Sequence, residues 1–430
     1  MTAPSASSSL ADWLAYWTQT HVTAIDLGLS RIRPVAEQLG VLQPNATVLT
    51  VAGTNGKGST TTVLSEIYIA AGQSVGLYQS PHITVFNERV RLNGQPVDDQ
   101  TLIDAFIQVD AARRVCQLPL SFFEATTLAA FVIFKKHNCA VWVLEVGLGG
   151  RLDAVNLIDP DVAVITNIGL DHTDWLGDSV EAIAFEKAGI MRAGIPVIYA
   201  DPVAMPESIA VQASQFGCRL IRASEDYHWH IAVDALYYAT PALTLRLPKP
   251  NLAAVNVCAA LTAALHSGVV LTQSMLAQAL QAARLAGRFE QVLWQRRRLI
   301  LDVAHNPHGM QFLLAQLAEY QQQQSSIGAV HMVFSMLQDK DIAAVVQLAA
   351  PMVQCWHIAA LDSSVPRAAS QAQLGQAVAP YAQAVVEYRD LAAALQGACQ
   401  VSDAQDVIVV CGSFHTLDAV WEVVKSHDAR

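Results

Sequence analysis

The sequence has few charged residues and few cysteines, and it lacks long apolar runs. Only 15% of its 430 residues are charged, and acidic residues outnumber basic ones, so that the net charge is -11. An acidic chain without a long basic run does not carry the electrostatic footprint of a nucleic-acid-binding protein. No run of about 18 uncharged apolar residues occurs, so no transmembrane helix is predicted. We therefore expect small-molecule partners, with neither nucleic acid nor a membrane.

The seven cysteines are spread along the chain. None forms a Cys-x-x-Cys pair and most have apolar neighbours, which is typical of buried cysteines in a reducing compartment rather than of disulfides or zinc sites. Residues 1–10 have neither the cationic start nor the apolar centre of a signal peptide. We therefore expect a cytoplasmic protein, and no feature requires more than a monomer.

Short apolar runs alternate with longer helical patterns. These runs are continuous rather than alternating, which indicates strands covered on both faces and hence parallel α/β sheets. An Ala-rich helical stretch at 251–283 and three arginines at 296–298 separate two sets of runs. We predict a P-loop-type, mostly parallel sheet domain over residues 1–290 and a smaller Rossmann-like open-sheet domain over residues 298–430. The predicted strands are 47–52, 74–79, 140–145, 162–167 and 196–199, then 299–303, 329–334, 354–360, 384–388 and 407–411.

A glycine-rich segment follows the first predicted strand and precedes a helical pattern. Its sequence is Gly53-Thr54-Asn55-Gly56-Lys57-Gly58-Ser59. Glycines allow backbone N–H groups to turn inward, a helix N-terminus favours anions, and Lys57 supplies positive charge. The motif departs from the strict form, because residue 51 is Val and Gly58 separates Lys57 from Ser59. An incidental turn is the alternative, but strand, turn, lysine and helix in this order indicate a phosphate-binding loop.

Polar residues end or follow three further predicted strands, and they are Ser80, Glu145 and His172. Ligands of an open parallel sheet bind outside the carboxyl ends of its strands. A hydroxyl, a carboxylate and an imidazole can hold Mg²⁺ beside phosphates, although imidazole is the least expected of the three because Mg²⁺ prefers oxygen. Taken singly, Ser80 could be a turn residue, Glu145 a cap and His172 a structural histidine. Together with the loop they favour a magnesium site.

As a set, these motifs resemble those of the folylpolyglutamate synthase and dihydrofolate synthase family. The match spans about residues 25–415 in family order, and the family is similar in fold and mechanism to the muramyl amino-acid ligases. The resemblance implies an ATP- and Mg²⁺-dependent ligase that joins L-glutamate to dihydropteroate and to reduced folates through an acyl phosphate. The stretches that carry it are 53–59, 80–82, 145–154, 171–173, 302–308 and 411–415.

The resemblance also assigns roles to single residues around ATP. It implies that Lys187 is carbamylated and places a carboxylate-like group near the metal, although a solvated lysine near a helix C-terminus is the alternative. It implies that Ser80, Glu145 and His172 bind the metal, and that Lys57, Lys187 and His172 are catalytic. The implied nucleotide contacts are Gly53, Asn55, Gly56, Lys57, Gly58, Ser59, Asn256, Arg288 and Asp302. Because Arg288 and Asp302 lie on either side of the predicted domain junction, the resemblance implies that ATP binds in the interdomain cleft.

The family resemblance further implies a pterin site and a glutamate site. Ordinary core packing is the alternative for the two phenylalanines of the pterin set, and ordinary loop polarity is the alternative for the glutamate set. The pterin set is Ile25, Asp26, Leu27, Ser121, Phe122, Phe123, Glu124, Leu152, Asp153 and Ala154. The glutamate set is His305, Ser413 and His415.

Two other functions share part of this pattern. A muramyl-type ligase acting on a UDP-linked sugar would use the same ATP machinery, but the Gly-Lys-Gly-Ser loop ending, residues 25–28 and the lack of a distinct N-terminal UDP-binding domain count against it. A P-loop switch or motor would leave the second domain unexplained, and no Asn-Lys-x-Asp motif appears. Whether ATP turnover requires glutamate discriminates between a ligase and a switch.

Overall fold

A computed structural model of the chain describes residues 3–20, 28–203, 205–323 and 328–428. The chain divides into two compact units, Met1–Arg284 and Leu285–Arg430. Across the described residues, the helices fall short of the length and hydropathy that a bilayer-spanning segment needs.

The first unit contains an eight-stranded sheet and a separate three-stranded sheet. Its strands are β1 (Thr47–Ala52), β2 (Val75–Tyr78), β3 (Val90–Leu92), β4 (Gln95–Pro96), β5 (Val141–Glu145), β6 (Val162–Ile165), β7 (Pro196–Tyr199), β8 (Arg219–Arg222), β9 (His228–Ile231), β10 (Ala235–Thr240) and β11 (Leu243–Pro248). Its α-helices are α1 (Leu10–Gln19), α2 (Leu29–Leu39), α3 (Lys57–Ala70), α4 (Asp99–Cys116), α5 (Phe122–Lys136), α6 (Thr173–Leu176), α7 (Val180–Ala188), α8 (Glu207–Phe216), α9 (Ala254–Leu265) and α10 (Gln273–Ala282). Short 3₁₀ helices lie at Phe86–Arg89 and Ala154–Leu157.

The strand order of the large sheet is β4-β3-β2-β5-β1-β6-β7-β8. All pairs from β2 to β8 in this order are parallel, whereas β3 and β4 add an antiparallel edge. Every residue of β2, β5 and β6 is buried, as expected for parallel strands covered on both faces. The carboxyl ends of β2, β5, β1 and β6 are therefore neighbours, and the segments that follow these strands meet at one edge of the sheet.

The five strands predicted for this unit are confirmed, with ends that agree within two residues. The Ala-rich stretch predicted as helical forms α9 and α10. The sequence interpretation missed β3, β4 and β8–β11. In β9 and β11, exposed residues interrupt the more buried ones, so these strands have no continuous apolar run.

The second unit contains a six-stranded sheet of order β12-β13-β17-β14-β15-β16. The edge strand β12 is antiparallel to β13, and the other pairs are parallel. The five strands predicted here are also confirmed within two residues, and with them the predicted α/β fold class. The strands are β12 (Glu290–Trp294), β13 (Arg297–Leu301), β14 (Val330–Phe334), β15 (Cys355–Ile358), β16 (Val385–Glu387) and β17 (Val407–Cys411). The helices are α11 (Pro307–Gln323), α12 (Ile342–Ala349), α13 (Gln371–Val378), α14 (Leu391–Val401) and α15 (Phe414–Asp428).

Candidate active site

The glycine-rich loop joins the carboxyl end of β1 to the first residue of α3. Gly56 has φ of 84°, a left-handed conformation that side chains disfavour. A Cβ atom at Gly56 would overlap the side chain of Asn256, so this residue of α9 lies directly against the loop. The Nζ of Lys57 donates hydrogen bonds to the carbonyl oxygens of Gly53 and Thr54, at 3.0 and 3.2 Å. The loop therefore has the helix N-terminus and the lysine that phosphate binding requires.

Two residues at the end of β6 hold this loop in place. The backbone N–H of Asn55 donates to Oδ1 of Asn167 at 2.9 Å, and the carbonyl oxygen of Asn55 accepts from Oγ1 of Thr166 at 2.6 Å. The backbone N–H of Thr54 also donates to the carbonyl oxygen of Asn167, at 3.0 Å. Sequence reasoning missed Thr166 and Asn167, although two polar residues directly after an apolar strand were the available signal.

Lys187 lies on α7, which ends at Ala188 as the sequence pattern predicts. Its side chain is 4% exposed, and its Nζ donates to the carbonyl oxygen of Gly53 at 2.9 Å. Burial, with the nearby charge of Lys57, lowers the pKa of Lys187 to about 7. A large fraction of this amine is therefore neutral and nucleophilic at physiological pH.

Two of the predicted metal ligands, Ser80 and Glu145, lie at the carboxyl ends of β2 and β5, whereas His172 lies in the segment between β6 and α6. The backbone N–H of Ser80 donates to Oε2 of Glu145 at 3.3 Å, so the structure brings these two residues together. Glu145 is 4% exposed, and a buried carboxylate beside a hydroxyl offers the oxygen donors that a hard divalent cation prefers. His172 is exposed, has φ of 55° and precedes α6. Its backbone N–H donates to Oδ1 of Asp171 at 2.9 Å.

Gln79 connects the predicted metal ligands to the phosphate loop. Its Nε2 lies 2.9 Å from the carbonyl oxygen of Gly58 and from the hydroxyl groups of Thr61 and Thr62. Because Gln79 directly precedes Ser80, these bonds fix the end of β2 against the first turn of α3. The sequence predicts no role for Gln79, because its contacts follow from the tertiary fold.

The aromatic residues of the predicted pterin set lie at the start of α5. Phe122 is half-buried, with its ring 6.0 Å from that of Phe86 and 5.7 Å from the guanidinium carbon of Arg89. Phe123 is half-buried as well, and its ring fills the space that a Cβ atom at Gly147 would occupy. Half-buried rings differ from the fully buried phenylalanines of the core, and they offer faces on which a flat heterocycle can stack.

The polar members of the pterin set make well-defined local contacts. Ser121 and Glu124 form the capping box of α5, and Glu124 also pairs with Arg31 at 2.6 Å. Asp153 accepts hydrogen bonds from the backbone N–H groups of Leu148 and Val155, at 2.8 and 2.9 Å. Burial raises the pKa of Asp153 to about 6. Leu152 is half-buried and Ala154 is buried beside it, whereas Ile25, Asp26 and Leu27 lie outside the described residues.

In the second unit, Arg288 and His305 lie beside Phe414, and Asp302 directly follows β13. The guanidinium carbon of Arg288 is 5.4 Å from the Phe414 ring centroid, and the His305 ring is 6.1 Å from it. The two carboxylate oxygens of Asp302 accept from the backbone N–H groups of Phe289 and Ala304, each at 2.8 Å. Burial raises the pKa of Asp302, which the nearby charge of Arg288 opposes. These residues follow or adjoin the ends of β13 and β17.

Ser413 and His415 lie at the start of α15. The Ser413 hydroxyl accepts from the backbone N–H of Thr416 at 3.0 Å and lies 2.7 Å from its hydroxyl. His415 is exposed. The structure therefore gives Ser413 a helix-capping role and leaves the His415 ring open to solvent.

Family models match both units. The model described as Mur ligase middle domain matches residues 51–240, and the model described as Mur ligase, glutamate ligase domain matches residues 287–414. Together with the phosphate loop at a parallel sheet, these matches define the class of the protein as a Mur-type ATP-dependent ligase.

Relatives of the same length identify the family within that class. A dihydrofolate synthase/folylpolyglutamate synthase of Escherichia coli is 40% identical over 428 residues, covering 99% of this chain and 97% of the relative. The chain belongs to the dihydrofolate synthase/folylpolyglutamate synthase family, as its motifs predict.

Solved structures agree with this assignment. The Escherichia coli protein in complex with DHPP and ADP has a TM-score of 0.93 at 39% identity, covering 99% of this chain and 100% of that one. The bifunctional folylpolyglutamate synthase/dihydrofolate synthase of Yersinia pestis, complexed with AMPPNP and Mn ion, has a TM-score of 0.92 at 41% identity, with coverage of 99% and 100%.

Proposed function

We propose that this protein uses ATP and a divalent cation such as Mg²⁺ to join L-glutamate to dihydropteroate, giving dihydrofolate, and to reduced folates, giving folylpolyglutamates. One observation carries the proposal. The glycine-rich loop, the Ser80–Glu145 pair and the buried amine of Lys187 meet at a single edge of the parallel sheet. Phosphate-binding, metal-binding and acid–base groups are the set that phosphoryl transfer needs.

The loop from Gly53 to Ser59 would hold the phosphates of ATP. Its backbone N–H groups lie at the N-terminus of α3, where the helix dipole favours negative charge. The Nζ of Lys57 would exchange its bonds to the loop carbonyls for bonds to phosphate oxygens. Asn256 is close enough to the loop to contact the nucleotide. In the second unit, Arg288 and Asp302 are the proposed nucleotide contacts.

Ser80, Glu145 and His172 would hold the divalent cation. When bound, the cation neutralises charge on the phosphates and on the transferring phosphoryl group. The buried Glu145 carboxylate and the Ser80 hydroxyl fit the cation by donor type. The side chain of His172 is exposed, and binding the cation would restrict its motion. A carbamate on Lys187 would place two oxygens that share one negative charge beside Lys57. The unmodified neutral amine carries no such charge.

The chemistry follows from the weak electrophilicity of a carboxylate. In the proposed reaction, a carboxylate oxygen of the pteroate or folate attacks the γ-phosphorus of ATP, the bond to the β-phosphate oxygen breaks, and an acyl phosphate and ADP form. The amine of L-glutamate then attacks the acyl carbon, loses a proton, and phosphate leaves. Lys57 would stabilise the negative charge on the transferring group, which is mostly a matter of position and electrostatics.

The pterin and glutamate sites complete the proposal. Phe122 and Phe123 would stack against the pterin ring, while Asp153, buried and partly protonated near neutral pH, would bind its polar edge. Leu152 and Ala154 would line the same turn. In the second unit, His305, Ser413 and His415 are the proposed contacts of L-glutamate. We also propose that the protein acts as a monomer in the cytoplasm, where ATP is available to it.

Phosphate release tests the proposal directly. Purified protein is incubated with ATP, Mg²⁺ and L-glutamate, with dihydropteroate in one reaction and tetrahydrofolate in another. We expect release in both, and none when glutamate is omitted. Release with tetrahydrofolate alone would contradict the proposed dihydrofolate synthase activity and the proposed pterin role of Phe122 and Phe123. Release without glutamate would contradict a ligase.

Isotope transfer tests the intermediate. Dihydropteroate labelled with ¹⁸O in its carboxylate should deliver one label to the released phosphate, because the attacking oxygen leaves with the phosphoryl group. Phosphate without the label would rule out the acyl-phosphate route.

A further inference from the structure

Two histidines and a cysteine meet in the second unit, near the amino-terminal ends of its strands. His331 lies on β14, and Cys355 and His357 lie on β15. In the register of these parallel strands His331 is opposite Cys355, and Val333 is opposite His357. Because alternate residues of a strand share a face, the three side chains project from the same face of the sheet. Asp302 and Ser413 lie at the opposite, carboxyl-terminal ends of strands of this sheet.

The spacing of the three side chains is that of metal ligands. Nδ1 of His331 lies 3.2 Å from Nε2 of His357, and one ligand atom from each of the three residues lies within 4.8 Å of the others. A tetrahedral ion with metal–nitrogen bonds of about 2.0–2.1 Å and a metal–sulfur bond of about 2.3 Å separates its donors by roughly 3.3–3.7 Å. The group therefore needs only a small adjustment to enclose an ion.

The outer nitrogens of both rings have oxygen partners. Nε2 of His331 lies 3.5 Å from Oδ2 of Asp406, and Nδ1 of His357 lies 3.1 Å from the hydroxyl of Tyr388. Asp406 is itself fixed by the backbone N–H groups of Ala329 and Asp403, at 2.7 and 2.6 Å. Metal-binding histidines in proteins usually donate their second N–H to such a carboxylate or other oxygen, which orients the ring.

In this arrangement the lone pairs of the two inner nitrogens repel each other, and a cation between them would remove that repulsion. When each ring donates its outer N–H group, Nδ1 of His331 and Nε2 of His357 face each other with lone pairs at 3.2 Å. His357 is fully buried and His331 is 6% exposed, so water does not separate them readily.

We propose that His331, Cys355 and His357 bind one Zn²⁺ ion, with water as the fourth ligand. One thiolate and two imidazoles form a donor set that suits zinc. The thiolate and the Asp406 carboxylate together balance the two positive charges of the ion. Cys355 is half-buried and provides access from solvent. Since the ion would join β14 to β15, its role is to stabilise the second unit, independently of the proposed ligase reaction.

Cobalt titration of the full-length protein tests this site. Protein freed of metal by a chelator is titrated with Co²⁺, and the expected result is one equivalent bound with a sulfur-to-cobalt charge-transfer band and tetrahedral d–d bands, both displaced by Zn²⁺. Co²⁺ bound at Ser80 and Glu145 has oxygen donors and produces no sulfur band. Added Zn²⁺ should also raise the Tm of the metal-free protein.

Three variants test which residues bind the ion that produces the charge-transfer band. Cys355→Ser should abolish the charge-transfer band and the Zn²⁺-dependent rise in Tm, and His357→Gln should weaken Co²⁺ binding at least tenfold. Cys116→Ser alters a half-buried cysteine of the first unit and should change neither readout. If His357→Gln does not fold, the conservative Cys355→Ser variant decides alone. Absence of the band, or its persistence in Cys355→Ser, would overturn the proposal and leave a hydrogen-bonded pair of neutral histidines to which Tyr388 donates.

Discussion

Lys57 and Lys187 donate hydrogen bonds to the same carbonyl oxygen, that of Gly53, at 3.0 and 2.9 Å. Two ammonium groups converging on one oxygen in a buried place repel each other, and only one of them has the loop and helix terminus of a phosphate site around it. Burial lowers the pKa of Lys187, and the charge of Lys57 lowers it further. The site therefore places Lys187, whose pKa is lowered, beside Lys57 at the N-terminus of α3.

The lowered pKa of Lys187 predicts that the stability of the protein depends on pH. The pKa of Lys187 falls from its ordinary value of 10.5 to about 7 in the folded protein. Below pH 7 both the folded and the unfolded states carry the proton, and the folded state bears the whole cost of a buried ammonium. Between pH 7 and 10.5 the unfolded chain holds more protons, so the free energy of unfolding rises with pH, by at most about 1.4 kcal/mol per pH unit.

Urea denaturation of wild type and Lys187→Met between pH 6 and 9.5, in buffer free of CO₂, measures this effect. The stability of wild type relative to the variant should rise above pH 7. Lys135→Met, which alters an exposed lysine, is the control and should parallel wild type. A constant difference between wild type and Lys187→Met would contradict the prediction.

Gly56→Ala should weaken nucleotide binding beyond any loss of stability. The new Cβ atom would meet the Asn256 side chain in a left-handed backbone conformation. Gly72 is the matched control, because its φ is 76° and no atom lies within 4 Å of the Cβ position. Gly72→Ala should cost about 1 kcal/mol of stability through its left-handed backbone, and Gly56→Ala should cost at least as much because of the added contact with Asn256. Only Gly56→Ala should reduce ADP affinity, by about tenfold or more, as measured by calorimetry; equal affinities in the two variants would contradict this.

Glu145→Gln should abolish metal-dependent turnover while the fold persists. The amide keeps the shape of the side chain and removes the negative charge beside Ser80. We expect kcat to fall by about 10²-fold or more, the usual loss when one charge-stabilising group is removed. Binding of Mn²⁺, followed by electron paramagnetic resonance, should weaken in parallel. Glu66→Gln, on a half-buried glutamate of α3, is the control, and normal activity in Glu145→Gln would exclude the metal role.

Phe122→Ala should affect dihydropteroate more than ATP. A half-buried ring that stacks on a heterocycle contributes about 1–2 kcal/mol, so the KM for dihydropteroate should rise by about tenfold while the KM for ATP stays unchanged. Phe216→Ala, which alters a phenylalanine 36% exposed on α8, is the control. Equal changes in both KM values would point to a structural role for Phe122.

The parallel strands could be predicted from the sequence because burial on both faces leaves continuous apolar runs, as in β5 and β17. The two-stranded edge of β3 and β4 was missed, although Asn93-Gly94 at its turn is a hairpin signal. β9 and β11 were missed because their apolar residues are interrupted by exposed ones. Local patterns thus identify buried strands more readily than partly exposed ones.

The candidate site could be predicted where one short segment carries the chemistry, as in the loop from Gly53 to Ser59. Residues whose role depends on distant partners could not. Gln79, Thr166 and Asn167 bond to the loop only through the tertiary fold. Likewise His331 and Cys355, far apart in sequence, become neighbours only through the pairing of β14 with β15.

The packing of Phe123 against Gly147 has an evolutionary consequence. Any side chain at position 147 would enter the space of the Phe123 ring. A larger residue at position 147 therefore requires a change at position 123 as well. We expect relatives that carry a larger residue at position 147 to carry a smaller one at position 123, and the two sites to covary. Divergence of substrate preference within the family would then proceed by paired replacements at this point, rather than by single steps.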